Sequence, residues 1–446
     1  MVTMKDWLST HPEIRSIRLA AADLNGVPRG KRIPVKFAGK VAEGTARFPY
    51  SVLNLDIWGA DIEDSPLVFE SGDQDGFLKM TDRGPLPMPW LENAAALVPV
   101  WMFHEDGTPF EGDPRQALQR VLDRYAAKGL SPVAAVEMEF FLVDDKGRDL
   151  NIPPLPTSGK KRARPDILSL AKLDAFDSFF SDLYDACDLM DIPADAAISE
   201  GGIGQFEINL MHGDAMKAAD DAWLFKMLVK SLARNHGFAA TFMAKPYPDE
   251  AGTGLHTHFS VQDQDGNNIF DDGSATGSDQ LRHAIAGCMA AMHDSTLIFA
   301  PHWNSYERMV PGAHAPTSIC WAHENRTAAI RVPSGPPKAR RIEHRVAGGD
   351  VNPYLMLTAI LGAALNGIED AVEPPAPIKG NSYDQELPQM IDGWQQAIDV
   401  FETSAPVARI FPAELIRNLV MTKRQELREM TEMSAEERRD TYLEAV

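Results

Sequence analysis

Four stretches of the chain set polar side chains two residues apart within apolar surroundings. Alternate residues of a strand point to one face, so each stretch predicts a strand that presents its polar residues together. Val136-Glu-Met-Glu-Phe-Phe-Leu-Val143 gives a strand over Val133–Val143 with Glu137 and Glu139 side by side. Gln205-Phe-Glu-Ile-Asn-Leu210 gives one over Gln205–Met211 that aligns Gln205, Glu207 and Asn209, behind a glycine-rich stretch beginning at Glu200. His256-Thr-His-Phe-Ser260 groups His256, His258 and Ser260 on a strand running to Gln262, after a Gly252-Thr-Gly254 loop and before an Asp265-Gly266 turn. Arg341–Val346 groups Arg341, Glu343 and Arg345 and leads into a helix over Pro353–Ile368.

Elsewhere the pattern is plainer. Up to about residue 104 it predicts short strands and turns: Ile17–Ala21, a Leu24-Asn25-Gly26 turn, and Ala95–Phe103. Asp113-Pro114 reads as an N-cap followed by proline at the first helical position, opening a helix over Arg115–Lys128 that stops at Gly129. This places a domain boundary near residue 105, dividing the chain into 1–104 and 105–446. Further helices are expected at Leu173–Met190, Asp220–Arg234 and Gln280–Phe299, with proline-rich loops at Asp144–Pro165 and Glu373–Pro388.

Composition narrows the function. Of 446 residues, 43 are Lys or Arg and 64 Asp or Glu, a net charge of −21 that disfavours polyanionic partners such as nucleic acid or an anionic membrane. The three cysteines are too few and scattered for a disulfide framework. No apolar run approaches a membrane span, and the first residues lack the apolar core of a signal peptide. A soluble, cytoplasmic protein is the expectation.

Four strands that each display polar residues at alternate positions converge on one polar cavity. Buried carboxylates on one face repel and lose hydration unless a cation compensates them. Glutamates with one or two imidazoles select a hard divalent ion, Mg²⁺ or Mn²⁺. Five carboxylates exceed the need of one such ion, and two or more ions are the arrangement that clamps a transferring phosphoryl group. Arg308, Arg326, Arg331, Lys338, Arg341 and Arg345 gather in sequence around Glu343 and supply the anion-binding side. No Gly-Lys-Ser/Thr phosphate loop is present, so a nucleotide must be bound by another architecture. From the residues alone, this is an enzyme of Mg²⁺-dependent phosphoryl transfer with a carboxylate or phosphate substrate.

Six segments, taken in order, closely resemble motifs of the glutamine synthetase superfamily: Val136–Leu142, Gly204–Asn209, Gly252–His258, Asn325–Pro333, Lys338–Arg345 and Asn352–Leu355. Asp23–Val35, Ile192–Asp195, Ala240–Tyr247 and Arg345–Gly348 look most like its γ-glutamylputrescine synthetases and related γ-glutamyl-amine ligases. The resemblance implies an α+β fold, with a small β-grasp-like N-terminal domain beside a larger catalytic domain built on a curved antiparallel sheet flanked by helices. It implies a homododecamer of two hexameric rings with active sites between subunits. ATP would phosphorylate the γ-carboxylate of L-glutamate, and an amine would displace the phosphate. By that resemblance Glu139, Glu200 and Glu207 hold one metal, and Glu137, His256 and Glu343 the other. Arg308 and Arg345 bind glutamate with a backbone contact from Gly252, and Arg326 stabilises the transferring phosphoryl group. His258, Ser260, Arg331, Lys338 and Arg341, together with the metal on Glu207, face the nucleotide.

Departures from the family pattern carry the substrate information. Val310-Pro-Gly312 is followed by Ala313-His314 where glutamine synthetases place a Tyr-Glu that closes over ammonium. Ala251 stands where an Asn normally precedes the glycine, and Phe48-Pro-Tyr-Ser51 replaces a segment whose Asp helps deprotonate ammonium. Ammonium thus loses two anionic partners and an alkyl amine gains room, which points to a primary amine: putrescine or another polyamine first, a small alkylamine such as methylamine next, ammonium as the alternative. Asp56, His314, Glu307 and Glu324 are the candidates for the base that takes the amine's proton, with His314 facing the amine.

Overall fold

The computed structural model describes residues 3–146, 150–161, 164–312 and 315–446. Two sheets organise it. The first is built from Ser16–Ala22 (β1), Pro28–Pro34 (β2), Arg47–Pro49 (β3), Asp75–Met80 (β4), Leu86–Pro87 (β5) and Ala95–Phe103 (β6). Their order is β2-β1-β6-β4-β3 with β5 beside β6, and only β1 and β6 run parallel. Both faces of this sheet are covered. Ile17, Leu19 and Ala21 of β1, with Ala96, Val98, Val100 and Met102 of β6, pack into a local core, while Ala20, Ala22, Ala95 and Leu97 face the main core of the protein. This explains why Ala95–Phe103 reads as a continuous apolar run rather than an alternating one.

The second sheet holds Ser131–Val143 (β7), Ala194–Ser199 (β8), Gln205–Asp214 (β9), Ala239–Thr241 (β10), Leu255–Gln262 (β11), Trp321–His323 (β12), Ile330–Val332 (β13) and Ile342–His344 (β14). Its order is β12-β13-β14-β11-β7-β9-β8 with β10 on β7, antiparallel except between β12 and β13. A bulge between Ala134 and Val136 bends β7 against β9. Helices Pro114–Ala126, Ala215–Asn235, Asp279–Met292 and Pro353–Asp370 pack around one another and this sheet. Two mostly antiparallel sheets flanked by helices make this an α+β chain, the class expected from the sequence.

Asp113 joins the two parts. One carboxylate oxygen caps the Pro114–Ala126 helix through Arg115 N (2.8 Å) and the other accepts from Met102 N of β6 (2.8 Å). The Ala413–Glu432 helix returns to the first sheet, where Asn25 Nδ2 donates to Glu426 Oε1 (2.7 Å) and Asn54 Nδ2 to Thr422 Oγ1 (2.8 Å).

Four expected elements differ, the first being the helix read as Asp220–Arg234, which starts at Ala215 behind an Asp214 cap. The helix over Leu173–Met190 is two helices, Leu170–Asp174 and Asp177–Leu189, separated where Phe176 turns inward to pack edge-to-face 5.2 Å from Phe206. Gln280–Phe299 breaks after Met292, where Asp294 is held by Ser404 Oγ (2.6 Å) and His293 Nδ1 (2.9 Å) before a last turn at Thr296–Phe299. The Arg341–Val346 strand shrinks to Ile342–His344. Among the described residues no helix is long and apolar enough to cross a membrane.

Candidate active site

The alternation read from β7 is present in the structure. Ala134, Val136, Met138 and Phe140 are buried in the core, whereas Glu137 and Glu139 occupy the other face. Cross-strand register sets their neighbours: Glu139 lies opposite Glu207 on β9, and Glu137 opposite His256 on β11. A carboxylate directly across from another carboxylate is destabilising by itself. Burial, together with the charges of Glu137, Glu139 and Glu200, pushes the Glu207 carboxyl up to about 9. Burial and the Glu139 charge push Glu200 up to about 7.

Glu137 is the opposite case. Burial alone would raise its carboxyl, but His256 Nδ1 (3.0 Å) and His258 Nε2 (2.9 Å) hold it well below the usual range through hydrogen bonds and charge. His258 Nδ1 in turn accepts from Arg341 Nε (3.1 Å). Glu343 is 0 % exposed and clamped by Arg331 Nη1 (2.6 Å) and by Arg345. Against its burial, the Arg345, His256, His258 and Arg331 charges keep its carboxyl low.

Glu139 Oε2 accepts from Gln205 Nε2 (2.9 Å) and Gly254 N (2.8 Å). Arg308, 4 % exposed, donates from Nη1 to Val346 O (2.8 Å). A side chain at Gly254 would meet Glu139 Oε1 (3.1 Å), His256 Nε2 (3.1 Å) and Arg308 Nη2 (3.3 Å), so these three groups converge on one point. A Cβ at Gly252 would stand 2.7 Å from both Ala244 O and Arg308 Cγ, which is why glycine is needed there; its carbonyl accepts from Gln205 Nε2 (2.9 Å).

Two triads offer ligand atoms within 4.8 Å of one another: Glu137, His258 and Glu343, and Glu137, Glu207 and His256. The resemblance divides the same patch differently, with Glu139, Glu200 and Glu207 together and His258 on the nucleotide side. Among the described residues Glu139, Glu200 and Glu207 make no ion pair, and the buried Asn209 Oδ1, across the ladder from Glu137, has no partner. Hard oxygen donors short of compensating charge fit a divalent cation. Since such an ion needs ionised carboxylates, Mn²⁺ affinity is expected to rise from about pH 6 to about pH 9, as Glu200 and then Glu207 lose their protons. Proton release on Mn²⁺ addition, followed with an indicator dye, checks this; no release at pH 7 would count against these two ligands.

Glu137 and His258 also line a cavity of about 800 Å³ with Asn209, Ser260, Lys338 and Arg341. Carboxylate and imidazole thus share one space with Lys338, Arg340 and Arg341, and with the acids Asp195 and Asp271. Arg331 lies behind it on Glu343, and Arg326 is exposed on the loop between β12 and β13. Another cavity of about 740 Å³, between Trp58, Trp223 and the Ala435–Ala445 helix, contains none of the candidate residues.

Asp56 is a correction. It is 2 % exposed, and its oxygens accept from Trp58 N (3.0 Å), Ala60 N (2.8 Å) and Gln425 Nε2 (2.9 Å), so it builds a turn of the N-terminal part and is not a free base. Glu324 accepts from Ser334 N and approaches Arg331, and Glu307 accepts from Asn304 Nδ2 (2.7 Å). His314 lies outside the described residues. Sequence reasoning assigned no role to Gln205, although its alternate spacing with Glu207 was visible, and did not single out Lys172, whose position carried no signal.

Comparison with known proteins shows the family. Residues 111–442 match the family model described as glutamine synthetase, catalytic domain. The chain is 38 % identical over 395 residues to γ-glutamylputrescine synthetase PuuA of Escherichia coli (strain K12), covering 86 % of this chain and 82 % of that protein. It is 31 % identical over 423 residues to γ-glutamylethanolamide synthetase GlnA4 of Streptomyces coelicolor, covering 93 % and 89 %. Glutamine synthetases are also among the matches. The solved structure of apo GmaS without ligand superposes with a TM-score of 0.84 at 28 % identity, covering 100 % of both chains.

Proposed function

The chain belongs to the glutamine synthetase family, and from that premise we propose that it joins a primary amine to the γ-carboxylate of L-glutamate with hydrolysis of ATP. The reading rests on one observation: Glu137 and His258 of the carboxylate–imidazole cluster line the same cavity of about 800 Å³ as Lys338, Arg340 and Arg341. A γ-carboxylate oxygen attacks the terminal phosphorus of ATP, releasing ADP and forming γ-glutamyl phosphate. The amine nitrogen then attacks the acyl carbon, phosphate leaves, and a proton is lost from nitrogen to give the γ-glutamylamide.

The residues divide accordingly. Arg308 and Arg345, with the Gly252 backbone, hold glutamate. Ser260, Arg331, Lys338 and Arg341 receive the nucleotide's phosphates, with His258 positioned between Arg341 and Glu137. Glu137, Glu139, Glu200, Glu207, His256 and Glu343 hold two or more divalent ions, Mg²⁺ or Mn²⁺. When bound, such ions neutralise the transferring phosphoryl group and orient its oxygens. Arg326 adds positive charge where negative charge develops on the transferring phosphoryl group. The working assembly in this reading is a dodecamer of two hexameric rings.

The amine follows from what replaces the family's ammonium partners, and from two matched relatives whose names specify amines, putrescine and ethanolamine. Putrescine or a related polyamine comes first, methylamine second, and ammonium is the alternative. The decisive measurement is phosphate release with glutamate, ATP and Mg²⁺ across ammonium, methylamine, ethylamine, putrescine, cadaverine and spermidine. A diamine or alkylamine is expected to exceed ammonium in kcat/KM by about tenfold or more. Ammonium ahead of every amine would make this a glutamine synthetase.

A further inference from the structure

Glu200 lies at the head of Glu200-Gly-Gly-Ile-Gly204, a segment that three glycines leave with little intrinsic preference for one conformation. A cation ligand on such a segment needs something else to hold it. Two buried side chains do so, and neither belongs to the ligand set. Gln205, 1 % exposed at the start of β9, accepts from Gly202 N through Oε1 (2.7 Å) and donates from Nε2 to Glu139 Oε2 (2.9 Å) and Gly252 O (2.9 Å). One acceptor and both amide donors are used, so the amide has a single satisfactory orientation. It ties three pieces of the site together: the carboxylate on β7, the glycine segment and the loop before β11.

Lys172, 3 % exposed on the Leu170–Asp174 helix, approaches from the other side. Its Nζ donates to Gly202 O (3.1 Å) and Gln205 O (3.2 Å) and reaches Glu200 O (3.4 Å). The ammonium sits 5.1 Å above the Phe206 ring. A buried cation gathering these carbonyls fixes the turn that presents Glu200. The segment has no room to shift toward β7, since a Cβ at Gly202 would stand 2.5 Å from Phe141 Cζ.

We propose that Gln205 and Lys172 are positioning residues that pre-set Glu139 and Glu200 as a ligand pair before any ion is bound. The inference rests on the reading of these two carboxylates as cation ligands. The full-length protein, free of nucleotide and glutamate, is titrated with Mn²⁺ and the free ion is followed by its electron paramagnetic resonance signal. Gln205→Leu and Lys172→Met are expected to weaken one class of Mn²⁺ site by roughly 10- to 100-fold, the usual effect of losing a group that orients a ligand, while the other class keeps its affinity. Lys172→Arg, which keeps a buried donor cation, should retain most of the parental affinity. Thermal unfolding in EDTA separates positioning from collapse, and Gln205→Asn replaces Gln205→Leu if the latter does not fold.

Parental affinity at every site in both Gln205→Leu and Lys172→Met overturns the proposal, as does a wild-type protein that binds no Mn²⁺. A wild type that binds Mn²⁺ but forms no amide overturns the ligase reading instead, and the affinity ratios still decide the roles of Gln205 and Lys172.

Discussion

Glu343→Gln is expected to lower kcat for γ-glutamylamide formation by ~10³-fold or more while the protein stays folded. Glu343 is the meeting point of the two halves of the site. Its carboxylate is 0 % exposed, pairs with Arg331 (2.6 Å) and Arg345, and forms a donor triad with Glu137 and His258. Register explains the crowding, since Glu343 lies across the ladder from His258 on one side and from Arg331 on the other. Glutamine keeps the volume and one acceptor but removes the charge that two guanidiniums share. Alanine is less informative, because the buried Arg345 guanidinium would be left unpaired while Arg331 keeps only the more distant Glu324, a loss of about 3–5 kcal/mol of stability in its own right. The check is kcat beside thermal unfolding in EDTA. Parental turnover in a folded Glu343→Gln protein would remove Glu343 from the ligand set.

Which residues share a face could be read from the sequence; which faces meet could not. Glu137 with Glu139, Gln205 with Glu207 and Asn209, and His256 with His258 follow from the two-residue period of a strand, a local property. The pairing of Glu139 with Glu207 and of Glu137 with His256 depends on register between strands far apart in the chain. His258 beside Glu137 is the consequence: only the ladder brings both histidines of β11 onto one carboxylate. The three-residue strands β12 and β13 are too short to show a period, so the frame on the Arg331 side of Glu343 was hidden. Asp56 shows the reverse limit. It is the nearest acid to the segment that departs from the family, yet a local Asp56–Trp58–Ala60 turn claims its oxygens, and no pattern of residue types separates a turn-forming aspartate from a free one. Lys172 lies well upstream of the carbonyls it gathers, on a helix that an inward-turned phenylalanine separates from the next.

Arg326→Gln is expected to reduce kcat by ~10²- to 10³-fold while leaving KM for glutamate and the affinity for Mn²⁺ close to parental. The turn beneath it is firmly built. Asn325 Oδ1 accepts from Thr327 N (3.0 Å) and Thr327 Oγ1 (2.8 Å), and Asn325 Nδ2 donates to Gly380 O (2.7 Å). Ser382 bonds twice to Thr327, donating from its N–H to Oγ1 (3.0 Å) and from its hydroxyl to the carbonyl (2.6 Å). The guanidinium itself is exposed and, among the described residues, makes no hydrogen bond or ion pair. Arg331 and Arg345 differ, since each already donates to Glu343. In the proposed reaction such an uncommitted guanidinium on a fixed turn would meet the negative charge that accumulates as the phosphoryl group transfers, and an interaction made only then appears in kcat. Arg326→Lys keeps the charge without the planar fork and should recover part of the rate. A raised KM for glutamate with kcat unchanged would instead make Arg326 a ground-state substrate contact, and parental values of both would leave it without a role in the reaction.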